Sequence, residues 1–312
     1  MKPLVSVVIP TYNRSDFVIR CIDAVLESAY DNLEVLVVDN HSTDKTVESI
    51  EAQNYGDRVK LIRNRKNLMA AGARNVGIHH SRGELILLMD DDNLIDKQTI
   101  SHMVRDMEED EKIGIITALC IQYDMRETQV GRSTISLYTS KASWTHGDYR
   151  NDDDVIETDC CENMWMIRKD VVRKIGYIDT DYYIMLEDAD FCRRIKLSGY
   201  KAVLDPRAQT VHYRVKSPDE NAELRAWGIG KPIRAFYFAK NRSVYMRKFA
   251  PLVGKLLYFL FFIHAFLVYY CLKAIRHGRW DIAASYFKGY VTGMFIKIKR
   301  GLYIGYSGAE TE

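Results

Sequence analysis

The chain has no Cys-x-x-Cys pair. Its six cysteines, Cys21, Cys120, Cys160, Cys161, Cys192 and Cys271, are scattered, several of them in apolar patterns. That usage argues for reduced, buried thiols in a cytosolic setting over a disulfide framework. A secretory leader is not expected either, because the apolar run Val5 to Ile9 is short and leads into Pro10 and polar residues. The loop after that run, Pro10–Phe17 (PTYNRSDF), contains no glycine, so the Gly-rich basic loop of nucleotidyltransferases is missing.

Charge of either sign is nearly balanced at +2 over 312 residues, but the balance is uneven along the chain. Residues 240–312 hold twelve Lys/Arg against three acids, a net +9 that leaves residues 1–239 at −7. An acidic body with a basic, aromatic-rich tail points to an anionic surface as partner. Nucleic acid is not that surface, because the basic residues flank a long uncharged run instead of being interspersed with polar groups. Leu256 to Leu272 is seventeen residues without charge, broken only by His264 and bracketed by Lys255 and Lys273. It is at the short limit for a span. With Tyr258, Tyr269, Tyr270 and Trp280 nearby, it reads as interfacial or partly inserted helix, with a true span and a soluble packing helix as alternatives. The expected division is a catalytic domain over 1–230 and a helical membrane-associated region over 231–312.

Hydrophobic residues make up 47% of the chain, enough for a large core. Short apolar runs alternate with helical periodicity. Strands are expected at Leu4–Ile9, Leu33–Val38, Val59–Ile62, Glu84–Met89, Ile113–Leu119, Val155–Thr158, Met164–Arg168, Tyr200–Leu204 and Thr210–Tyr213. Helices are expected from Ser15, over Thr43–Gln53 with Ser42 as cap, over Ala73–His80 after a loop at Asn67–Gly72, around Ile100–Met107, from Lys169 to Gly176, and over Glu187–Ser198. The tail reads as helices near 232–249, 252–275 and 280–299. Residues 120–157 break the rhythm and read as a long excursion over the sheet edge, part of an acceptor site. The fold class is therefore α/β, a mainly parallel sheet with helices on both faces.

Within this order Thr11, Asp39 and the cluster Asp90–Asp92 all fall at carboxyl ends of strands, the edge where open α/β sheets bind ligands. Five apolar residues, Leu85 to Met89, run directly into the three aspartates. Carboxylates crowded at the mouth of a buried strand repel one another unless a cation is present. Hard oxygen ligands suit Mg²⁺ or Mn²⁺, ions that bridge phosphates. A solvated acidic turn is the other reading of the cluster taken alone.

Five segments, VVIPTYNR (7–14), VVDNHSTD (37–44), NLMAAGARN (67–75), LMDDD (88–92) and LEDADFCRR (186–194), resemble in order and spacing the inverting glycosyltransferase family 2 with the GT-A fold, over about residues 4–215. The subgroup is similar to rhamnosyltransferase-type enzymes that build lipid-linked glycans or cell-surface polysaccharides. These also carry an aromatic–basic stretch such as Phe236–Arg242 (FYFAKNR). The resemblance implies a nucleotide-diphosphate sugar donor, UDP-, dTDP- or GDP-linked, held by Pro10, Thr11, Tyr12, Asn13, Arg14, Asp39, Asn67, Gly72, Arg74, Asp90 and Asp91. It implies Mg²⁺ or Mn²⁺ at Asp92, with His212 as a second ligand or a structural group, and Arg214, Lys216 and Ser217 beside it as a diphosphate clamp. Asp188 would be the base that deprotonates the acceptor hydroxyl. Glu162, Asn163, Trp165 and Glu187 would face donor and acceptor, and Glu162–Asn163 departs from the small residues many relatives carry there. The acceptor would be a glycan or a polyprenyl-phosphate-linked glycan at the cytoplasmic face of the membrane. A nucleotidyltransferase and a non-catalytic membrane scaffold are the alternatives. The missing glycine argues against the first, and the joint presence of Asp39, Asp92 and Asp188 against the second.

Overall fold

The computed structural model describes residues 2–123, 129–147, 149, 154–161, 163–213 and 220–298. Its sheet is built from β1 (Val5–Thr11), β2 (Leu33–Asp39), β3 (Val59–Arg63), β4 (Leu85–Met89), β5 (Asn93–Ile95), β6 (Ile113–Gln122), β7 (Gln129–Ile135), β8 (Ala142–Gly147), β9 (Ile156–Glu157), β10 (Met164–Arg168) and β11 (Lys201–His212). The helices are α1 (Ser15–Leu26), α2 (Thr46–Ala52), α3 (Met69–His80), α4 (Thr99–Glu109), α5 (Lys169–Ile175), α6 (Glu187–Leu197), α7 (Ala222–Ala226), α8 (Pro232–Phe249), α9 (Leu252–Leu257), α10 (Ile263–Arg276) and α11 (Trp280–Phe295). The spatial order of strands is β3-β2-β1-β4-β10-β6-β11-β5. β3, β2, β1 and β4 run parallel, as do β6 and β11, while β10 runs against both its neighbours.

The continuous apolar strands are two-sided, which is why they show no polar alternation. Val7 and Ile9 of β1, Val35 and Val37 of β2 and Leu87 of β4 point into one core with α1 and α4. Their chain neighbours Val8, Leu36, Val38, Ile86 and Leu88 point into the other, with α3, α5 and α6. Gly77 is what lets α3 lie on the sheet, since a Cβ there would stand 2.1 Å from Val8 Cγ1. A third core joins α7, α8, α10 and α11 through Leu224, Ala235, Ala239, Tyr270, Ile282 and Tyr286.

Several local expectations are corrected. The loop expected at Asn67–Gly72 is helical from Met69, whose φ of +60° opens α3 without a side-chain cap of its own. Ser42 does not cap α2; Asp44 Oδ1 accepts from Thr46 N instead, and Ser42 Oγ accepts from Asn13 N. Residues 120–157 are no plain excursion: β6 extends to Gln122, and β7 and β8 form an antiparallel hairpin off it. The two strands expected at Tyr200–Leu204 and Thr210–Tyr213 are one strand, β11, irregular between Asp205 and Gln209. Short β5 pairs with the end of β11. In the tail, α9 passes through a π turn at Tyr258–Phe262 into α10. Leu252–Arg276 is long and apolar enough to cross a membrane by length and composition.

Candidate active site

β1, β2 and β4 deliver their carboxyl ends side by side. Thr11 is in register with Asp39, and Asp90 follows the last residue of β4. The chain after β1 is fastened to the chain after β2 by Asn13, whose Oδ1 accepts from Thr43 N at 2.8 Å and whose own N–H donates to Ser42. Asn13 has φ +53°, a conformation asparagine tolerates better than most residues. Both oxygens of buried Asp39 accept from Ser42 N at 3.2–3.3 Å. Asn67 Oδ1 accepts from Asn40 Nδ2 and Met69 N, so this residue shapes the start of α3. Gly72 packs where a Cβ would meet Leu68 Cβ at 2.7 Å. Tyr12 is exposed and Pro10 lies within β1.

The three aspartates separate into different environments. Asp91 is buried, and its Oδ2 accepts from Thr11 Oγ1 at 2.7 Å. Burial pushes its carboxyl up to about 7, against the pull of Arg14 and Thr11. Asp92 pairs through Oδ2 with Arg14 Nη1 and through Oδ1 with His212 Nε2, at 2.5 and 3.4 Å. Burial opposes its ionisation, but His212 and Arg14 outweigh that and hold the carboxyl below the usual range. The Asp92 carbonyl accepts from Tyr213 N at 2.7 Å, which ties the cluster to the end of β11.

Asp90 faces the other way, toward Arg74. Arg74 is buried between Asp90 Oδ1, at 2.5 Å from Nη2, and Glu187 Oε1, at 3.5 Å from Nη1. Its guanidinium lies over the ring of Trp165, 5.9 Å from the centroid. Trp165 is 1% exposed and packs against Phe191. It therefore supports Arg74 from below and offers no surface to a sugar. Asn163 reaches the cluster through its backbone carbonyl, which accepts from Asp90 N at 3.2 Å. Burial, then the charge of Asp188, pushes the Glu187 carboxyl up to about 7, with Arg74 pulling the other way. Asp188 is half-buried at the start of α6, and its Oδ1 accepts from Ala189 N at 2.7 Å. Arg194, two turns on, pairs with Asp190 and donates to the carbonyls of Ile175 and Tyr177, a structural anchor for the helix. Glu162, Arg214, Lys216 and Ser217 lie outside the described residues.

Among the described residues no group of three His, Cys, Asp or Glu side chains is arranged to hold a metal. Asp92 with His212 is a two-donor set, a carboxylate and an imidazole. It fits a divalent ion that takes its remaining ligands from a diphosphate and water. The residues least visible in the sequence are Lys240, Asn241 and Lys248 of α8, which bond the segment in front of Asp188 from 56 to 69 positions away. The only sequence sign was the aromatic–basic stretch at 236–242, which contains Lys240 and Asn241 and stops short of Lys248.

Residues 6–176 match the domain described as glycosyl transferase family 2. A glycosyltransferase of Streptococcus pneumoniae, GlyG, is 33% identical over 110 residues, 35% of this chain and 36% of that protein. The amylovoran biosynthesis glycosyltransferase AmsB of Erwinia amylovora is 27% identical over 208 residues, 64% of this chain and 66% of that one. The matched part thus spans about a third of the pneumococcal relative's length. In structure the chain is similar to the mannosyltransferase PcManGT of Pyrobaculum calidifontis, solved with GDP-Man and Mn²⁺, at TM-score 0.59 and 18% identity over 95% of this chain and 88% of the other. With more than half of its length inside the family domain and a sheet of matching architecture, the chain belongs to glycosyl transferase family 2 and has the GT-A fold.

Proposed function

We propose that this protein is an inverting glycosyltransferase that moves a sugar from a nucleoside-diphosphate sugar to a hydroxyl of a lipid-linked or cell-surface glycan. The observation that carries this reading is the Arg74 bridge, which joins the strand-end aspartates, through Asp90, to the helix start that presents Glu187 and Asp188. A donor site and a candidate base thereby share one cation.

In the reaction, Asp188 takes the proton of the acceptor hydroxyl. The acceptor oxygen bonds to C1 of the sugar as the C1–O bond to the β-phosphate breaks on the opposite face, and the nucleoside diphosphate departs with that electron pair. Thr11 and Asp39 border the nucleotide, and Arg14 offers positive charge toward the diphosphate. A Mg²⁺ or Mn²⁺ ion at Asp92 and His212 would supply charge neutralisation to the leaving group. The Mn²⁺ and GDP-Man of the Pyrobaculum structure support this class of donor and ion.

The exposed apolar side chains of the tail, among them Leu252, Leu256, Leu260, Phe261 and Phe295, support docking on a membrane surface, where a polyprenyl-phosphate-linked acceptor would reside. The test is transfer or hydrolysis of a panel of labelled nucleotide sugars with Mn²⁺, comparing the parent with Asp188→Asn. Turnover by the parent and its loss in the variant is expected. Equal turnover in both would remove Asp188 from the base role.

A further inference from the structure

The segment that leads into Asp188 has an unusual backbone. Tyr183, Met185 and Leu186 have φ of +65°, +70° and +67°, three non-glycine residues in the left-handed region within four positions. Such conformations are strained for residues with a Cβ and persist only where the surroundings over-determine them. Here the surroundings are α8. Asn241, 0% exposed, directs its Nδ2 at the carbonyls of Tyr182, Ile184 and Met185, each at 2.8 Å. One turn earlier, the Tyr237 ring stacks on Tyr183 at 4.7 Å and 14°. Lys240 Nζ donates to the Asp181 carbonyl at 2.6 Å. At the far end of the helix, Lys248 Nζ pairs with Asp179, at 2.9 Å, and with fully buried Asp190 of α6. One face of one helix therefore binds the segment's start, its carbonyls and the helix that follows it.

A packing role alone would not require these donors to converge on the carbonyls of Asp181, Tyr182, Ile184 and Met185, which interleave with the left-handed residues. We propose that Asn241 is a positioning residue for Asp188, with Lys240 and Lys248 setting the same segment, and that α8 thereby fixes where the acceptor's proton is taken. This rests on the reading of Asp188 as the base. Removing the amide takes the side-chain donor away from the Ile184 and Met185 carbonyls and leaves the Tyr182 carbonyl with Ile184 N alone, which lets the left-handed residues relax and shifts the start of α6. A shift on the scale of 1 Å at the reacting groups costs about 100-fold in rate.

The test uses the full chain and measures kcat, donor KM and thermal unfolding for Asn241→Ala, Asp188→Asn and the double variant. Asn241→Ala is expected to lower kcat by about 10- to 100-fold while donor KM stays within about twofold, because Thr11, Asp39 and Asp92 stand on other elements. The double variant is expected to be no slower than Asp188→Asn alone, since residues acting as one unit are not additive. If Asp188→Asn abolishes transfer and Asn241→Ala keeps the parent kcat, or if the two losses multiply, the positioning role is overturned and the base assignment stands. If Asp188→Asn keeps full turnover, the base assignment fails and this inference falls with it. Should Asn241→Ala not fold, Lys240→Met keeps the aliphatic stem, removes the bond to the Asp181 carbonyl and the ammonium over the Tyr237 ring, and is read by the same criteria.

Discussion

Arg14 and Asp92 are in direct contact, Nη1 to Oδ2 at 2.5 Å, so the carboxylate assigned to a cation already holds one. The other oxygen faces His212. Arg14 is 36% exposed in its side chain, so solvent reaches the guanidinium while Asp92 beneath it is nearly covered. The pairing explains how three adjacent acids coexist: Asp92 rests on Arg14, Asp90 on Arg74, and Asp91 on Thr11 with partial help from Arg14.

Asp92→Asn should lower metal-dependent transfer by about 100-fold or more, the scale on which removal of a charge-stabilising group acts. Its unfolding temperature should stay close to the parent's, because Arg14 can turn to water. Initial rates across a Mn²⁺ titration, alongside thermal denaturation, check both. A variant with parental rates and the same Mn²⁺ response would take the metal away from Asp92.

Stability should depend on pH through Glu187. Its folded carboxyl titrates near 7, above the roughly 4.3 of an exposed glutamate. Between those values the folded chain binds the proton more tightly than the unfolded chain, so this contribution to stability is present at low pH and is lost as pH rises through 7. Glu187→Gln removes the titration. The variant's unfolding temperature relative to the parent should therefore rise between pH 5 and pH 8. Parallel curves over that range would show that Glu187 carries no such linkage.

Membrane docking should be separable from folding. Leu260 and Phe261 are 61% and 63% exposed, so Leu260→Glu with Phe261→Glu should leave thermal unfolding unchanged. Co-flotation with anionic vesicles should fall about tenfold or more, given that each buried apolar side chain is worth some 1.5–3 kcal/mol. Undiminished flotation would place the contact elsewhere. Substitution is a cleaner test than removing the residues after Pro251, because α11 packs on α8.

Gly289 sets the distance between those two helices. A Cβ there would stand 2.1 Å from the Phe236 carbonyl oxygen, and one at Gly293 would stand 2.8 Å from the Lys240 carbonyl oxygen. Gly289→Leu should destabilise the fold by about 1–3 kcal/mol, the usual range for overpacking, read as a lower urea midpoint. An unchanged midpoint would mean that α11 can move away without loss.

Much of the catalytic half was legible because its strands are buried on both faces. Leu85–Met89 and Val35–Val38 are unbroken apolar runs for that reason, and the polar residues at their ends stand out sharply. Three of the five family motifs lie on the same strand ends, and the other two open α3 and α6. What was not legible had weak local signals. Met69 begins α3 in a left-handed conformation, and the cap position holds apolar Leu68 while Asn67 bonds Met69 N from one residue earlier, so its first turn resembled a loop. β7 and β8 mix polar residues with single apolar ones and lack an apolar run. The bonds from α8 to residues 179–190 join positions more than 50 apart, a relation no window along the chain contains.

The shared helix has a consequence for how this chain can change. A polypeptide ending at residue 230 would keep every acid of the strand-end cluster and the whole of α6, yet lose Lys240, Asn241 and Lys248. Two interchangeable modules could swap partners freely. In this protein a tail borrowed from a relative must bring its own amide to the segment before α6, so α8 and that segment are inherited together.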